Sequence, residues 1–314
     1  MSGPFDDLFK DVKTNTTKVG NISPKVASSS STANVNTSVM ENGEVINIRV
    51  QDDVKIEPIE LTFEQLLPRR GIKALVFGRQ KSGKSELLLK AADLGVPVRI
   101  IDLENGLIPL MDNVKEKDIK IYPVVVVDEG EPGHYTIERD EYKTVELFKA
   151  TLGKIKNEAI QYNKDTGKLM VIGIDSMSVF WEVVKEWLNV DVIRQGGKLN
   201  KKGIPSDRRD WGKVSKLWDG IMGMLMNLPA HVILIAQAKD AYEVDEKGYG
   251  HEAGFDDPRV RKTTPHQVDL TIQLFVDEEG GRYFAKVRES RYPKLKRNQL
   301  FENLTLQKLI DAIK

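Results

Sequence analysis

The chain has 314 residues, of which 40% are hydrophobic, enough apolar material for one sizeable core or two small ones. Its 47 lysine and arginine residues balance 47 aspartate and glutamate residues, so a globally basic nucleic-acid binder is not indicated, although a local basic patch remains open. Cysteine is absent, the four histidines lack ligand spacing and no apolar run approaches a membrane span, so we expect no disulfide, thiolate metal site, zinc site or membrane partner.

Residues 1–43 are predicted to form a disordered tail. Serine, threonine and asparagine dominate residues 11–40, which leaves too little apolar area to offset the entropy of ordering. The apolar residues of Phe5–Phe9 have helical spacing and indicate either a solvated terminus or a short motif that docks on a partner protein. The terminus lacks the apolar core of a signal peptide, so we expect a cytoplasmic, intracellular location.

A short β lead-in is predicted at residues 44–69. Two segments there, Val45–Val50 and Val54–Ile59, alternate apolar and polar residues, as short strands or a β-hairpin do. The composition changes after this segment, and the main domain is predicted to span residues 70–314.

Strands and helices alternate through the main domain. Strands are predicted at Lys73–Phe77, Val98–Asp102, Ile121–Val127, Leu169–Asp175, His231–Ala236, Leu270–Val276 and Tyr283–Val287. Helices are predicted at Ser85–Ala92, Tyr142–Asn163, Ser178–Leu188, Trp211–Leu228 and Leu306–Ile313. This alternation is typical of an α/β fold, with a mostly parallel sheet and helices on both faces.

A phosphate-binding loop is predicted between the first core strand and its helix, where the sequence fits G-x-x-x-x-G-K-[ST] without a mismatch. The predicted nucleotide-binding residues are Gly78, Arg79, Gln80, Lys81, Ser82, Gly83, Lys84 and Ser85. The two glycines let backbone N–H groups surround a phosphate, and the following helix adds the positive end of its dipole. Lys84 would contact the β- and γ-phosphates, and Ser85 would offer a hydroxyl to Mg²⁺. A chance Gly/Ser turn is the alternative, which the strand and helix around the motif argue against.

Asp175 closes the strand Leu169–Asp175 and is the predicted second ligand of Mg²⁺. The carboxyl ends of parallel strands meet at the ligand-binding edge of such a sheet, and a phosphate loop needs an acidic partner there. The alternative is that Asp175 caps the helix that follows.

Glu104 and Gln237 follow two other strands and are predicted to reach the same cleft. Glu104 would polarise the attacking water as a general base, and Asp102 is an alternative for that task or for supporting the metal through water. Gln237 would contact the γ-phosphate and report its hydrolysis. For both residues the alternative is an ordinary exposed polar side chain.

The order of these features resembles the RecA family of ATPases. It is carried by the phosphate loop, Glu104 after a strand, the pair Asp175-Ser176 and Gln237 at a strand end, over about residues 70–290. The chain looks most like the core-only RecA-like recombination proteins of phages and archaea, without a recognisable N-terminal oligomerisation or DNA-binding domain. The resemblance implies a RecA-like sheet, hydrolysis of ATP with Mg²⁺, and a homo-oligomer that is a ring or a filament.

The resemblance also implies that a neighbouring subunit completes the site. Lys286 and Arg288, one residue apart, resemble the Lys-x-Arg element of RecA-like ring ATPases. Alternate residues of a strand share one face, so both could reach one phosphate, where arginine would stabilise charge as the γ-phosphoryl group leaves. A solvated basic strand face is the alternative, and Arg291 is a further candidate.

Contacts to single-stranded DNA are a further implication, from the loops that follow the Asp-Ser strand and the glutamine strand. The first loop, Asn189–Asp210, contains glycines and the basic residues Arg194, Lys198, Lys201, Lys202, Arg208 and Arg209. The second, Ala238–Gln267, has seven acidic residues against five basic ones and is predicted to be disordered or ordered by a partner.

We therefore expect an ATPase that acts with single-stranded DNA in recombination, annealing or replication. Two alternatives stay open: a ring-forming, helicase-like translocase, and a nucleotide-regulated switch or assembly protein without DNA activity. Strong stimulation by single-stranded DNA with directional unwinding would favour the translocase, and little stimulation would favour the switch.

Overall fold

The structure is a computed structural model of the full chain. It describes residues 38–41, 44–47, 71–114, 117–128, 138–201, 203–205, 209–244, 250–277 and 281–314. The chain divides into two units, residues 1–62 and residues 63–314, which are taken separately. The predicted boundaries at residues 43 and 69 remain predictions.

The first unit contains one β-hairpin among its described residues. Strand β1 (Ser38–Glu41) pairs antiparallel with strand β2 (Glu44–Asn47). β2 overlaps the strand predicted at Val45–Val50, but its partner lies within the segment that the composition predicts to be disordered. Residues 1–37, with the Phe5–Phe9 motif, and the strand predicted at Val54–Ile59 lie outside the described residues.

The second unit alternates strands and helices, as predicted. Its strands are β3 (Lys73–Gly78), β4 (Val98–Asp102), β5 (Ile119–Pro123), β6 (Val127–Asp128), β7 (Glu138–Arg139), β8 (Met170–Asp175), β9 (Ala230–Val244), β10 (Gly250–Pro258), β11 (Leu270–Asp277), β12 (Arg282–Ser290) and β13 (Leu300–Glu302). Its α-helices are α1 (Lys84–Lys90), α2 (Glu141–Thr166), α3 (Met177–Arg194), α4 (Trp211–Asn227), α5 (Thr264–Gln267) and α6 (Leu306–Ile313). Short 3-10 helices cover Ala91–Leu94 and Ile108–Val114.

Nine strands form one sheet in the order β13-β12-β11-β3-β9-β8-β4-β5, with β10 added beside β9. The six strands from β11 to β5 run parallel, whereas β12, β13 and β10 pair antiparallel with their neighbours. The strand that leads into the phosphate loop, β3, lies inside the sheet between β9 and β11. This confirms the α/β fold class with a mostly parallel sheet.

Helices cover both faces of the sheet, because successive side chains of a buried strand point to opposite faces. On one face, Leu87 and Leu88 of α1 and Leu309 of α6 pack in a cluster with Val76 and Ile233 of the sheet. On the other face, aromatic rings join three helices: Phe148 of α2 stacks on Phe180 of α3, which stacks on Trp218 of α4. Each such pair contributes about 0.5–1.5 kcal/mol beyond its buried area.

The ends of the long helix α2 follow from local sequence. The side chain of Asp140 accepts a hydrogen bond from the backbone N–H of Lys143, the arrangement expected of an N-cap. The helix ends at Gly167, whose φ of 68° lies in the left-handed region that glycine adopts without strain. Among the described residues, no helix is both long enough and apolar enough to cross a membrane.

The structure corrects the prediction for the segment Ala238–Gln267. Strand β9 continues to Val244, eight residues past the predicted end at Ala236, and β10 returns beside it as an antiparallel partner. The segment was predicted to be disordered or ordered by a partner because it is acidic, yet its described residues form this pair of strands.

Two other predicted boundaries were wrong. Strand β5 ends at Pro123 rather than at Val127, which fits an edge position because proline has no N–H to donate to a sheet. Helix α3 continues to Arg194, six residues beyond its predicted end at Leu188. The first residues of the predicted DNA-binding loop, from Asn189 to Arg194, therefore belong to the helix.

Candidate functional site

The phosphate loop joins the end of β3 to the start of α1, and its two glycines are required by geometry. A Cβ atom on Gly78 would lie 2.4 Å from the backbone oxygen of Leu274 and 2.5 Å from Ser82 Oγ, too close for any side chain. Gly83 has a φ of 86°, in the region that L-residues rarely adopt. The loop conformation therefore depends on glycine at both positions.

Lys84 lies over the phosphate loop. Its Nζ donates hydrogen bonds to the backbone oxygens of Gly78 and Arg79, at 3.0 and 2.7 Å. Burial lowers the pKa of this amine, and the carboxylates of Asp175 and Glu104 act in the opposite direction. The ammonium group is thus held at the loop by neutral carbonyl acceptors, which a bound phosphate could replace.

Ser85 and Asp175 meet beside this loop. Ser85 Oγ donates a hydrogen bond to Asp175 Oδ2 at 2.7 Å, and Asp175 is 4% exposed. The pKa of Asp175 is raised to about 6, chiefly by burial; the hydrogen bond from Ser85 and the charge of Lys84 lower it, and the charges of Glu104 and Asp102 raise it.

Ser85 and Asp175 suit Mg²⁺, because this cation prefers hard oxygen ligands. It takes only one or two of them from the protein when phosphates and water supply the rest. In the described part of the chain, no group of three or more histidine, aspartate or glutamate residues forms a metal cluster. A nucleotide-bound Mg²⁺ needs no such cluster.

Helix α3 is capped by Ser176 and not by Asp175, the alternative that the sequence left open for Asp175. The side chain of Ser176 accepts a hydrogen bond from the backbone N–H of Val179 at 3.4 Å and so caps α3. The carboxylate of Asp175 remains directed to the phosphate loop through Ser85.

Glu104 lies on a turn that Asp102 fixes. Asp102 Oδ1 accepts hydrogen bonds from the backbone N–H groups of Glu104 and Asn105, each at 2.9 Å, and Asp102 is buried. The sequence left open which of the two carboxylates faces the cleft. The structure gives Asp102 the task of shaping the turn and leaves the side chain of Glu104 exposed.

Glu104 and Gln237, 133 positions apart in sequence, are in direct contact. Glu104 Oε1 accepts hydrogen bonds from Gln237 Nε2, at 3.0 Å, and from Ser176 Oγ. The backbone N–H of Gln237 in turn donates to Ser178 Oγ at 2.8 Å. Sequence reasoning missed Ser178, since a serine in the first turn of a helix carries no functional signal by itself.

Lys286 and Arg288 lie on another side of the phosphate loop from Glu104. Both line a cavity of about 1130 Å³ together with Arg79, Asp256 and Gln273. The register of β12 shifts at Arg288, so that two of its residues oppose one residue of β11, which defines a β-bulge. Arg288 donates to the backbone oxygen of Asp256 and to Gln273 Oε1. Arg291, the further candidate, instead donates to the backbone oxygen of His266 and to Asp269.

A second cavity, of about 250 Å³, adjoins the phosphate loop and was not predicted. It lies between α1 and the start of β12, and Tyr283, 41% exposed, lines it close to Gly83. Its lining comprises Ser82, Gly83, Glu86, Leu87, Lys90, Leu274, Tyr283, Phe284, Asn303 and Leu304. These residues come from separate parts of the chain, so no local sequence motif could predict the cavity.

The predicted DNA-binding loop is shorter than expected, and only part of it lies among the described residues. Arg194 belongs to α3, and its guanidinium lies 4.3 Å from the centre of the Tyr142 ring. Leu199 and Pro205 form an isolated β-bridge that closes a turn within the loop. Lys201 and Arg209 are described, whereas Lys202 and Arg208 lie outside the described residues.

The chain is similar to known proteins at the level of a family and of the fold. A family model described as an AAA domain matches residues 70–297, which cover most of the chain. Among solved structures, the fold is similar to that of the RadB recombinase at 13% sequence identity, with a TM-score of 0.43, over 74% of this chain and 86% of that chain. No curated protein matches. The family match agrees with the resemblance to RecA-like phosphate-loop ATPases.

Proposed function

The chain belongs to the AAA domain family, and we propose that this protein is a RecA-like ATPase that hydrolyses ATP with Mg²⁺ and acts with single-stranded DNA. One observation carries the ATPase part of the proposal. Glu104, Gln237 and the Ser85–Asp175 pair converge beside the phosphate loop, although they come from three strands and a helix. Glu104 follows β4, Asp175 ends β8, Ser85 lies in the first turn of α1, and Gln237 lies within β9 rather than at its predicted end. Polar residues placed by chance would not form such hydrogen bonds at the one edge where a triphosphate would lie.

The phosphate loop and Lys84 would bind the triphosphate. The Lys84 ammonium would exchange the carbonyl oxygens of Gly78 and Arg79 for phosphate oxygens, which are stronger acceptors because they are charged. Ser85 and Asp175 would hold Mg²⁺, which when bound neutralises charge on the β- and γ-phosphates. The cavity beside Gly83 and Tyr283 has room for the nucleoside.

Glu104 would act as the general base. A water oxygen would form a bond to the γ-phosphorus as the bond to the β–γ bridging oxygen breaks, and the water proton would pass to the Glu104 carboxylate. Ser176 and Gln237 both donate to one oxygen of this carboxylate, so they fix its orientation. The same contact would let Gln237 respond when the γ-phosphate departs.

Arg288 is proposed to act on the nucleotide of a neighbouring subunit. Arg288→Ala should therefore lower the ATPase rate of the assembled homo-oligomer by about 10- to 150-fold, the range for one hydrogen bond to a charged group. Nucleotide binding by the isolated subunit should not change. The measurement is steady-state hydrolysis across protein concentrations that span assembly, with mass determined by light scattering at each concentration.

The matched control for this variant is Arg259→Ala, which removes an exposed arginine that pairs with Glu182 outside the candidate site. Its rate should equal that of the unmodified protein. A strictly monomeric protein that hydrolyses ATP as fast as the oligomer would contradict the role of Arg288 in a neighbour's site. Lys286→Ala, tested alongside, distinguishes whether the second basic residue contributes.

The DNA part of the proposal is supported by the resemblance and by the basic composition of the loop between α3 and α4. Combined substitution of Lys201, Lys202, Arg208 and Arg209 by alanine should weaken binding to single-stranded DNA. It should also lower the slope of log affinity against log salt by up to about 3, since each lost phosphate contact accounts for about 0.7. The measurement is fluorescence anisotropy with a labelled oligonucleotide over a salt series.

An unchanged salt slope in this variant would move the DNA contact elsewhere. One comparison separates the proposal from its alternatives: the ATPase rate and the particle mass, each with and without single-stranded DNA. Stimulation with assembly supports the proposal, directional unwinding would indicate a translocase, and indifference to DNA would indicate a nucleotide-regulated switch.

A further inference from the structure

A chain of hydrogen bonds leads from the phosphate loop to Arg288 through the base of the β9–β10 hairpin. We propose that Asp256 and Gln273 are positioning residues, which hold the Arg288 side chain for its action on a neighbouring subunit. The inference rests on the role of Arg288 in the proposed function. It adds residues from β10 and β11 to a site that the sequence motifs confine to other strands.

Asp256 is the centre of these contacts. Its carboxylate is 16% exposed and accepts hydrogen bonds from Arg79 through both oxygens, at 2.8 Å from Nη2 and 3.3 Å from Nε. Oδ2 also accepts from Gln273 Nε2 at 3.2 Å, and the backbone oxygen accepts from Arg288 Nη1 at 3.1 Å. One residue of the hairpin therefore contacts the first loop residue after Gly78, the β11 glutamine and the β12 arginine.

The side-chain amide of Gln273 has a fixed orientation because one neighbour can only accept a hydrogen bond and the other can only donate one. Its amide nitrogen donates to the Asp256 carboxylate, which can only accept, so its amide oxygen points to Arg288 and accepts from Nη1 at 2.7 Å. A reversed amide would place donors against the guanidinium and an acceptor against the carboxylate. The charge of Asp256 thereby sets the orientation of the group that holds Arg288.

Two uncharged acceptors hold the Arg288 guanidinium here. Both the backbone oxygen of Asp256 and the amide oxygen of Gln273 are uncharged, whereas the carboxylate of Asp256 is paired with Arg79. The guanidinium also lies 5.9 Å from the centre of the Phe77 ring. Such contacts restrict the rotamers of a long side chain, which is what positioning requires.

The test compares Gln273→Ala and Asp256→Asn with the matched control Asp240→Asn. Asp240 also accepts from Arg79, at 2.7 Å, whereas the hydrogen bonds with Gln273 and Arg288 described above are those of Asp256. In the assembled oligomer, we expect kcat to fall by about 2- to 10-fold in the first two variants, the range for one neutral hydrogen bond. KM for ATP should stay within about twofold, and the control should match the unmodified protein in both constants.

A double-mutant cycle with Arg288→Ala separates positioning from a general loss of structure. Gln273→Ala should have no further effect on kcat when Arg288 is already alanine, because it acts through that side chain. A further loss in that background would overturn the inference, as would unchanged kcat in both single variants. If Asp256→Asn fails to fold, as shown by its melting temperature, Gln273→Ala alone decides the outcome.

The proposed role of Arg288 and the positioning role of Asp256 and Gln273 fail in different ways. If Arg288→Ala itself hydrolyses ATP at the unmodified rate, the proposed role of Arg288 fails and the positioning role fails with it. If Arg288→Ala is slow but Gln273→Ala and Asp256→Asn are not, only the positioning inference is overturned.

Discussion

Lys84→Ala should abolish measurable ATP binding and hydrolysis, the largest effect expected of any single change in this protein. The side chain supplies the only ammonium that donates to the carbonyl oxygens of Gly78 and Arg79 among the described residues, where the β- and γ-phosphates would lie. Removing one preorganised donor from such a site costs about 10²–10³ in rate, and the lost charge weakens binding in addition. Isothermal titration with ATP and Mg²⁺, followed by a steady-state assay, measures both losses.

Lys216→Ala is the matched control, because it makes the same chemical change at an exposed position of α4. It should bind and hydrolyse ATP as the unmodified protein does. Circular dichroism should show that Lys84→Ala keeps its fold, since its bonds to the loop are a small part of a large core. Unmodified ATPase activity in Lys84→Ala would refute the central proposal.

Glu104→Gln should keep ATP binding and lose about 10²–10⁴ in hydrolysis rate, the usual contribution of a general base. The glutamine amide oxygen can accept the same hydrogen bonds from Ser176 and Gln237 that the carboxylate accepts now. The variant therefore preserves the shape and contacts of the site and removes only the negative charge and the basicity. Single-turnover hydrolysis with saturating protein, beside a direct binding measurement, separates the two steps.

Glu186→Gln provides the corresponding control, because Glu186 lies exposed on α3 and contacts Asn189 rather than the site. Its turnover should be unchanged. Turnover at the unmodified rate in Glu104→Gln would place the base elsewhere. Asp102 would be the weaker replacement, because one of its oxygens already accepts two backbone N–H groups.

The parts of the fold that the sequence predicted share a physical cause. Helix α6 begins and ends at the predicted residues, Leu306 and Ile313, and β4 matches its prediction at Val98–Asp102. Thr305 caps α6, and β4 is buried along its whole length, so burial and local preference agree in both cases. The phosphate loop was predictable for a stronger reason, since its glycines satisfy a backbone geometry that no other residue fits.

The hairpin of β9 and β10 was missed because its stability is not encoded in an apolar run. Acidic residues lie in both strands, and the two backbones pair antiparallel from Ala238 to Val244 of β9. The contacts of Asp256 were not predicted either, because its partners Gln273 and Arg288 are distant in sequence and no spacing links them. The sequence likewise placed both Asp102 and Glu104 at a strand end without showing which one forms the turn.

The candidate site stands on the innermost strands of the sheet, and this has a consequence for how the protein would lose activity. Val76, Ile100, Ile172 and Leu234, on the four adjacent strands β3, β4, β8 and β9, are completely buried. Backbone amides in such strands exchange with deuterium only when the whole sheet opens, whereas β10 and the part of β9 that pairs with it open at a smaller free-energy cost. Nucleotide binding should accordingly persist up to the temperature of global unfolding. Contacts that depend on β10, Asp256 among them, would come apart first, so the proposed action of Arg288 on a neighbouring subunit would be lost before nucleotide binding.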